Sequence, residues 1–436
     1  MKLLIIHYHL QPGGVTRIID SQLLAMSKFI ASEDICILTG EPCGKGALTG
    51  SVATEVLPEL NYIDSSKPSA AECASMLKKI EERIKSHISP DTVIHPHNIN
   101  LGKNPVLTYA VHKISETGIP VLNHCHDFAE DGRPENLEFL KYVIGKCFGA
   151  DFHKILYPDK ARYLFGVLNS TDFERLLNCG VRRDLVNLLP NPVHFPEMDT
   201  AKKRSEIIDT IKASFDIAQE LPIFTYPVRA IHRKNIGEFI LLASLFADKA
   251  NWIITLSPQN PLEKPEYEAW KDFCRNNDVK VFFEVGEKID FNELMHVTDR
   301  CVTTSMKEGF GMVFLESWDW GVPVVGRNIP AVTRDFISNG LSLPHLYGNL
   351  FVETETNKSD FPQLTLREQM KFILSLKSSA ALKEQLLKNN PGIMKIFQNT
   401  PDKIIKQNME TVKNSYSLEA YGKKLFDIYT KLSGQS

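Results

Sequence analysis

Glu308-Gly309-Phe310-Gly311-Met312-Val313-Phe314-Leu315-Glu316 sets two carboxylates around a glycine turn, with seven residues between them. Upstream, Arg300 to Thr304 reads as a short strand and Met312 to Trp320 as a helix, so Gly309 and Gly311 occupy a strand-to-helix turn of an α/β sheet. The first N–H groups of such a helix lack intrahelical partners, and its dipole favours an anion such as a diphosphate. Glu308 in the loop and Glu316 in the helix would each accept hydrogen bonds from vicinal hydroxyls, one pair on a sugar and one on a ribose. A surface loop with scattered acids would carry the same letters.

Outward from this turn, the second half of the chain alternates. Strands are expected at Ile223 to Tyr226, Trp252 to Leu256, Val279 to Glu284 and Pro323 to Gly326, with helices at Ile236 to Phe246 and Glu266 to Asn276. A further helix, polar on one face, is expected over Leu366 to Leu387. The first half opens with the apolar run Lys2 to His7, then Pro12-Gly13-Gly14 and the helical pattern Val15, Ile18, Ile19, Gln22, Leu23, Met26. Strand, glycine turn and helix in that order begin a doubly wound α/β domain. Runs at Ile35 to Leu38, Thr92 to His95, Pro120 to His124 and Lys154 to Tyr157 would continue a largely parallel sheet. The pattern breaks at Leu188-Leu189-Pro190-Asn191-Pro192-Val193.

The expected organisation is two Rossmann-like α/β domains facing across a cleft, with ligands beyond the carboxyl ends of the strands. Residues 1–195 form the first, 196–220 a linker, 221–415 the second, and 416–436 a closing helical segment. At 436 residues each domain is large enough to bury its own core, and 43% hydrophobic with 24% charged residues is a globular balance. A net charge of -3 offers no general attraction to nucleic acid or anionic membrane, so phosphate binding must be local. No apolar run approaches the ~18 residues a spanning helix needs, and no export signal is visible, so a cytoplasmic place is expected. Peripheral membrane contact stays open. The eight cysteines show no Cys-x-x-Cys spacing and read as reduced thiols. No Asp-x-Asp element is present to hold a divalent ion against a diphosphate, so no metal and no cofactor is expected.

Taken in order, several segments resemble the retaining glycosyltransferases of the two-Rossmann-domain architecture called GT-B, family 4. They are His9-Leu10-Gln11-Pro12-Gly13-Gly14, His126-Asp127, Pro190-Asn191-Pro192, Arg229 with Lys234, Ser305 to Glu316, and Tyr416 to Tyr421 with the helix to Leu432. The resemblance covers nearly the whole chain, and it implies that the closing helix crosses back to brace the first domain. It further implies a metal-independent hexosyltransferase that moves a sugar from a nucleotide-diphosphate donor to an acceptor hydroxyl. Arg229 and Lys234 would neutralise the diphosphate. Glu316 would take the ribose hydroxyls and Glu308 the transferred sugar, while backbone from Gly309, Phe310, Gly311, Met312 and Val313 holds diphosphate or sugar. His126 would stand at the reaction centre, and Gly13 and Gly14 would let backbone approach the donor phosphate. In this family the reaction is usually drawn with the leaving phosphate oxygen removing the acceptor proton, so catalysis is mainly positioning and charge stabilisation. The same Gly-Gly pair also suits a plain strand-to-helix turn, and a lone histidine suits a hydrogen-bonded core.

Acceptor recognition is expected from polar, glycine-bearing loops of the first domain, His95 to Asn104 and Ala129 to Pro134. Lys103 and Arg133, with Asn98 beside them, would favour an anionic small molecule, though a glycan acceptor is not separated from it. Two positions depart from the resemblance: Ser257-Pro258-Gln259-Asn260-Pro261 and Thr225-Tyr226-Pro227-Val228 stand where glycines are frequent, which leaves the nucleotide open. Alternatives on the same architecture are a phosphorylase, an epimerase, or a silent sugar-nucleotide-binding protein. An NAD enzyme fits less well, because Gly13-Gly14 lacks the Gly-x-Gly-x-x-Gly spacing.

Overall fold

Strands that are apolar along their whole length must be covered on both faces, and two sets of such strands build two parallel sheets. The computed structural model describes residues 1–42, 51–64, 68–193, 202–353 and 358–434. The chain divides into two compact units, Met1–His194 with Ser415–Ser436, and Phe195–Asn414.

The first unit contains β1 (Lys2–His7), β2 (Ile35–Thr39), β3 (Ala53–Val56), β4 (Thr92–Pro96), β5 (Val121–Cys125), β6 (Tyr163–Val167) and β7 (Val186–Leu188), in the order β3-β2-β1-β4-β5-β6-β7. Every pairing is parallel. The order turns back between β1 and β4, which makes that junction the topological switch point where such sheets bind ligands. The C-terminal helix Leu418–Ser433 completes this unit. Its Tyr421, Leu425, Ile428, Tyr429 and Leu432 are buried in the first unit's core, and Phe426 stacks on Phe29 with centroids 4.8 Å apart.

The second unit contains β8 (Ile223–Arg229), β9 (Asn251–Leu256), β10 (Val281–Phe282), β11 (Arg300–Thr303), β12 (Val324–Arg327) and β13 (Leu346–Tyr347), ordered β10-β9-β8-β11-β12-β13, with a separate hairpin of β14 (Phe351–Glu353) and β15 (Lys358–Asp360). Its sheet is also parallel and turns back between β8 and β11. Both units are therefore Rossmann-like, and among the described residues no helix is long and apolar enough to cross a membrane.

Several expected elements differ. Lys154 to Tyr157 is not a strand but the end of a helix, Phe152–Leu156, because Asp151 caps it by accepting from the N–H groups of His153 at 2.9 Å and Lys154 at 3.3 Å. The strand lies instead at Tyr163–Val167, fully buried. β10 is only two residues long, since Glu284 takes a left-handed conformation at φ 61° just beyond it. Met312 to Trp320 divides into one α-helical turn, Val313–Glu316, and a 3-10 turn, Ser317–Trp320. Its aligned peptide dipoles are fewer than the sequence pattern suggested. Leu366 to Leu387 breaks at Ser379, which caps the second of two helices. Of the expected linker, residues 196–201 lie outside the described residues. The remainder carries the helix Arg204–Phe215, whose Ile207 and Ile211 pack with Ile223, Ile253 and Leu294 of the second unit.

Gly422 sets how closely the C-terminal helix approaches the Gly14–Met26 helix: an added Cβ would stand 2.6 Å from the Ala25 carbonyl oxygen. Gly422→Ala should lower the denaturant midpoint of the full chain, with overpacking costing about 1–3 kcal/mol against a gain of about 1 kcal/mol in helix propensity. An unchanged midpoint would mean that the two helices separate freely.

Candidate functional site

In the second unit the loops that leave β8 and β11 lie side by side, as the switch point requires. They are joined through backbone. Met306 N–H donates to the Arg233 carbonyl at 3.0 Å. Thr304 Oγ1 donates to the carbonyls of Lys234 at 3.1 Å and Asn235 at 2.9 Å. Tyr226 hydroxyl, from β8, reaches the Lys234 carbonyl at 2.8 Å and Ser305 Oγ at 2.7 Å. Asn235 adopts φ 51°, a conformation that Asn tolerates, and its amide holds the Thr304 carbonyl at 3.1 Å and Glu238 at 2.9 Å.

Glu308 sits over this junction with its side chain only 6% exposed. Lys234 Nζ donates to one carboxylate oxygen, and Arg233 Nη1 donates to the other at 2.7 Å. Burial by itself raises the Glu308 pKa, but Lys234, Ser305 and Arg233 together hold it below its ordinary value. Lys234 is held below its ordinary value, chiefly by burial and with Arg233 adding, against the pull of Glu308. Arg233 was not singled out from the sequence; its place in His232-Arg233-Lys234 is the signal that it stands beside the same loop.

Arg229 ends β8 and is exposed. With its amide oxygen toward Arg229, Gln259 accepts from both terminal guanidinium nitrogens at 3.2 Å. The Ser257 to Pro261 loop thus supplies a side-chain partner for Arg229. Gly311 has φ 87°, and a Cβ there would fall 2.6 Å from Val332 Cγ1; an added Cβ at Gly309 meets nothing within 4 Å. Phe310 turns into the unit, edge to face with Phe336 at 5.4 Å. Met312, Val313 and Glu316 are half-buried, with Glu316 N–H bonded to the Met312 carbonyl at 2.8 Å.

In the first unit Gly13 is extended, φ -171°, and caps the helix Gly14–Met26; a Cβ on Gly14 would meet no atom within 4 Å. His126 follows β5 and is buried, its Nε2 2.9 Å from His97 Nδ1. Burial pushes His126 down to about 3. Asn98, buried and left-handed at φ 64°, accepts at its side-chain oxygen from Asp127 N–H at 2.8 Å, so it fixes the backbone beside His126. Arg133 donates to Asp127 at 2.9 Å and to the Phe128 carbonyl at 3.2 Å. Lys103 Nζ lies 5.7 Å from the Tyr62 ring centroid, and the Tyr62 hydroxyl meets His9 Nε2 at 3.2 Å. Burial raises the Tyr62 pKa, with Asp127 adding and Arg133 opposing, which places these groups in one electrostatic neighbourhood. Tyr62 carries no motif, and its membership depends wholly on the fold.

Residues 207–359 match the family model described as glycosyl transferases group 1. The mannosylglucosyl-3-phosphoglycerate synthase of Petrotoga mobilis is 27% identical over 328 residues, covering 72% of this chain and 63% of that protein. The chain therefore spans less than two thirds of that relative's length. Among solved structures, a glycosyltransferase from Rickettsia africae superposes with a TM-score of 0.62 at 16% identity, covering 100% of this chain and 99% of the other. Anabaena HepE in complex with UDP gives 0.61 at 11% identity, covering 98% and 99%. Over residues 207–359 the chain is thus similar to group 1 glycosyl transferases, and its two Rossmann-like units share the fold of these solved structures.

The two glycines of the turn should respond differently to substitution. Gly311→Ala is expected to lose at least about 2 kcal/mol from left-handed strain and the Val332 clash, whereas Gly309→Ala should stay within about 0.5 kcal/mol of the parent. Denaturant midpoints of the full chain check both, and equal effects would contradict the geometry of this turn.

Proposed function

We propose that this protein transfers a hexosyl group, with retained configuration, from a nucleotide-diphosphate sugar to a hydroxyl of a small anionic acceptor. The observation that carries the reading is the junction of Lys234, Arg233 and Glu308 at the β8/β11 switch point. It lies inside the segment that matches group 1 glycosyl transferases. A buried carboxylate there suits sugar hydroxyls, and the cations around it suit a diphosphate.

In this reading Arg229 and Lys234 bind the diphosphate and stabilise the charge that grows on it as the bond from C1 to the phosphate oxygen breaks. The acceptor oxygen forms the new bond to C1, and its proton passes to the leaving phosphate oxygen. Glu308 holds the transferred sugar and Glu316 the ribose. Gly309 to Val313 supply backbone, Gly13 and Gly14 admit the donor phosphate, and His126 faces the sugar. No divalent ion serves the diphosphate. HepE has been solved with UDP, which supports a uridine nucleotide as the first donor to try.

The acceptor is assigned to Lys103 and Arg133, with Asn98 setting the loop that carries them. Lys103 lies near the Tyr62 ring, whose hydroxyl meets His9, and Arg133 acts on Tyr62 electrostatically, a set of groups suited to a phosphate or carboxylate. The name of the Petrotoga relative contains a phosphoglycerate, an acceptor chemistry of that kind.

Two measurements test the roles. With steady-state kinetics on a nucleotide-sugar, Glu316→Ala should raise the donor KM, since its contact is equal in ground and transition states, while Glu308→Ala should lower kcat more than it raises KM. Kinetics within a few-fold of the parent for both variants would remove the donor assignment. For the acceptor, Arg133→Glu should raise KM for sugar phosphates or hydroxy acids at least tenfold, roughly 1.4 kcal/mol. Equal activity on neutral acceptors would oppose the anionic reading.

A further inference from the structure

Three His-x-His pairs straddle the carboxyl ends of three adjacent strands: His7-Tyr8-His9 at the end of β1, His95-Pro96-His97 at the end of β4, and His124-Cys125-His126 at the end of β5. Alternate residues of a strand share a face, so each pair sends both rings the same way. The result is a ladder of rings. His95 stacks on His97 at 4.4 Å, His124 on His126 at 4.2 Å, and His97 on His126 at 5.2 Å.

Within the ladder, one ring nitrogen from each of His95, His97 and His124 lies within 4.8 Å of those of the other two. All three rings are fully buried. Each has its Nδ1 engaged from outside the triplet: His95 with Tyr429 Oη at 2.5 Å, His97 with His126 Nε2 at 2.9 Å, and His124 with Gln22 Nε2 at 3.1 Å. The Nε2 atoms of His97 and His124 are buried without a hydrogen-bond partner among the described residues. Among the described residues His95 Nε2 meets His124 Nδ1 alone, at 3.3 Å. Two unsatisfied buried nitrogens in one spot are a cost that folded proteins seldom leave standing.

We propose that His95, His97 and His124 together bind one transition-metal ion of the zinc type, each through one ring nitrogen. Outer partners on the remote ring nitrogens are what metal-ligating histidines commonly have, and Tyr429 on His95 and His126 on His97 stand in those places. An all-imidazole set with no carboxylate or carbonyl suits zinc, cobalt, nickel or copper, and not magnesium or calcium. Ligand nitrogens on a tetrahedral zinc stand about 3.4 Å apart, so the rings close inward on binding. No acidic side chain belongs to the triplet, so a hydroxide is expected as the fourth ligand to offset the charge. The ion would tie β4 and β5 to the Gly14–Met26 and Leu418–Ser433 helices through Gln22 and Tyr429. Through His97 it would also hold a hydrogen on Nδ1 toward His126. No divalent ion is assigned to the donor diphosphate.

The test uses the full chain without a polyhistidine tag, stripped with chelator, exposed to zinc or cobalt sulfate, and desalted. About one equivalent should remain by elemental analysis, as expected of a three-histidine site. The cobalt form should show visible absorption of a nitrogen-ligated tetrahedral ion, and the thermal midpoint should rise with zinc. His97→Gln and His124→Gln should each lose the bound ion and the cobalt spectrum while keeping the parent far-ultraviolet circular dichroism. Retention below about one tenth of an equivalent by folded wild-type protein, or undiminished retention in both variants, would overturn the proposal. If neither variant folds, the wild-type retention and spectrum alone decide it. Thermal stabilisation by UDP, recorded on the same samples, reads the second unit, so failure of the transferase reading is distinguishable from failure of the metal site.

Discussion

A carboxylate that is nearly sealed from water must find positive charge or give up its own, and Glu308 finds two cations. That constraint orders the second unit's switch point. Lys234 and Arg233 can reach Glu308 only because the loops after β8 and β11 are stitched by Tyr226, Thr304, Ser305 and Asn235. Asn235 is tied in turn to Glu238. There Arg327 bonds Glu238 and Asp360, and Tyr347 adds a hydroxyl to Glu238 at 2.7 Å. Burial raises Glu238, and Arg327 works against that rise. The core ion network thus sets the loop, and the loop sets the pairing of Lys234 and Arg233 with Glu308.

The first unit solves a different problem. Its switch point is lined by imidazoles whose burial keeps them neutral: desolvation pushes His7 and His95 down to about 3, with neighbouring rings adding to it. Neutral rings can be packed face to face where charged ones would repel. The C-terminal helix completes the packing, because Tyr421 and Tyr429 provide hydroxyls for Gln22 and His95. Removing that helix would expose the ladder to water and leave the donors of the sheet ends without partners.

Where the candidate donor residues fall in the fold was legible in the sequence. The Glu308 to Glu316 spacing and the Arg229 and Lys234 pair stand at the ends of β8 and β11, where a doubly wound sheet puts ligand contacts. Less legible was Lys154 to Tyr157, an apolar run whose conformation was decided by a cap three residues upstream. The helix after Gly311 was overestimated, since periodicity does not distinguish an α turn from a 3-10 turn. Arg233, Tyr62 and the histidine triplet were not assembled, because each depends on groups brought together from distant stretches. His95 and His124 are bonded across 29 positions, and His95 and Tyr429 across 334.

Strand periodicity, glycine turns and the absence of long apolar runs are local properties, and they settled two α/β units from sequence alone. A left-handed glycine or a strand buried on both faces leaves its mark on adjacent residues. Which cation meets Glu308, which amide meets Arg229, and which imidazole nitrogens stay without partners are matters of position across strands. Those were decided only by tertiary structure, because hydrogen bonds and ion pairs act over a few ångströms in space and are indifferent to separation along the chain.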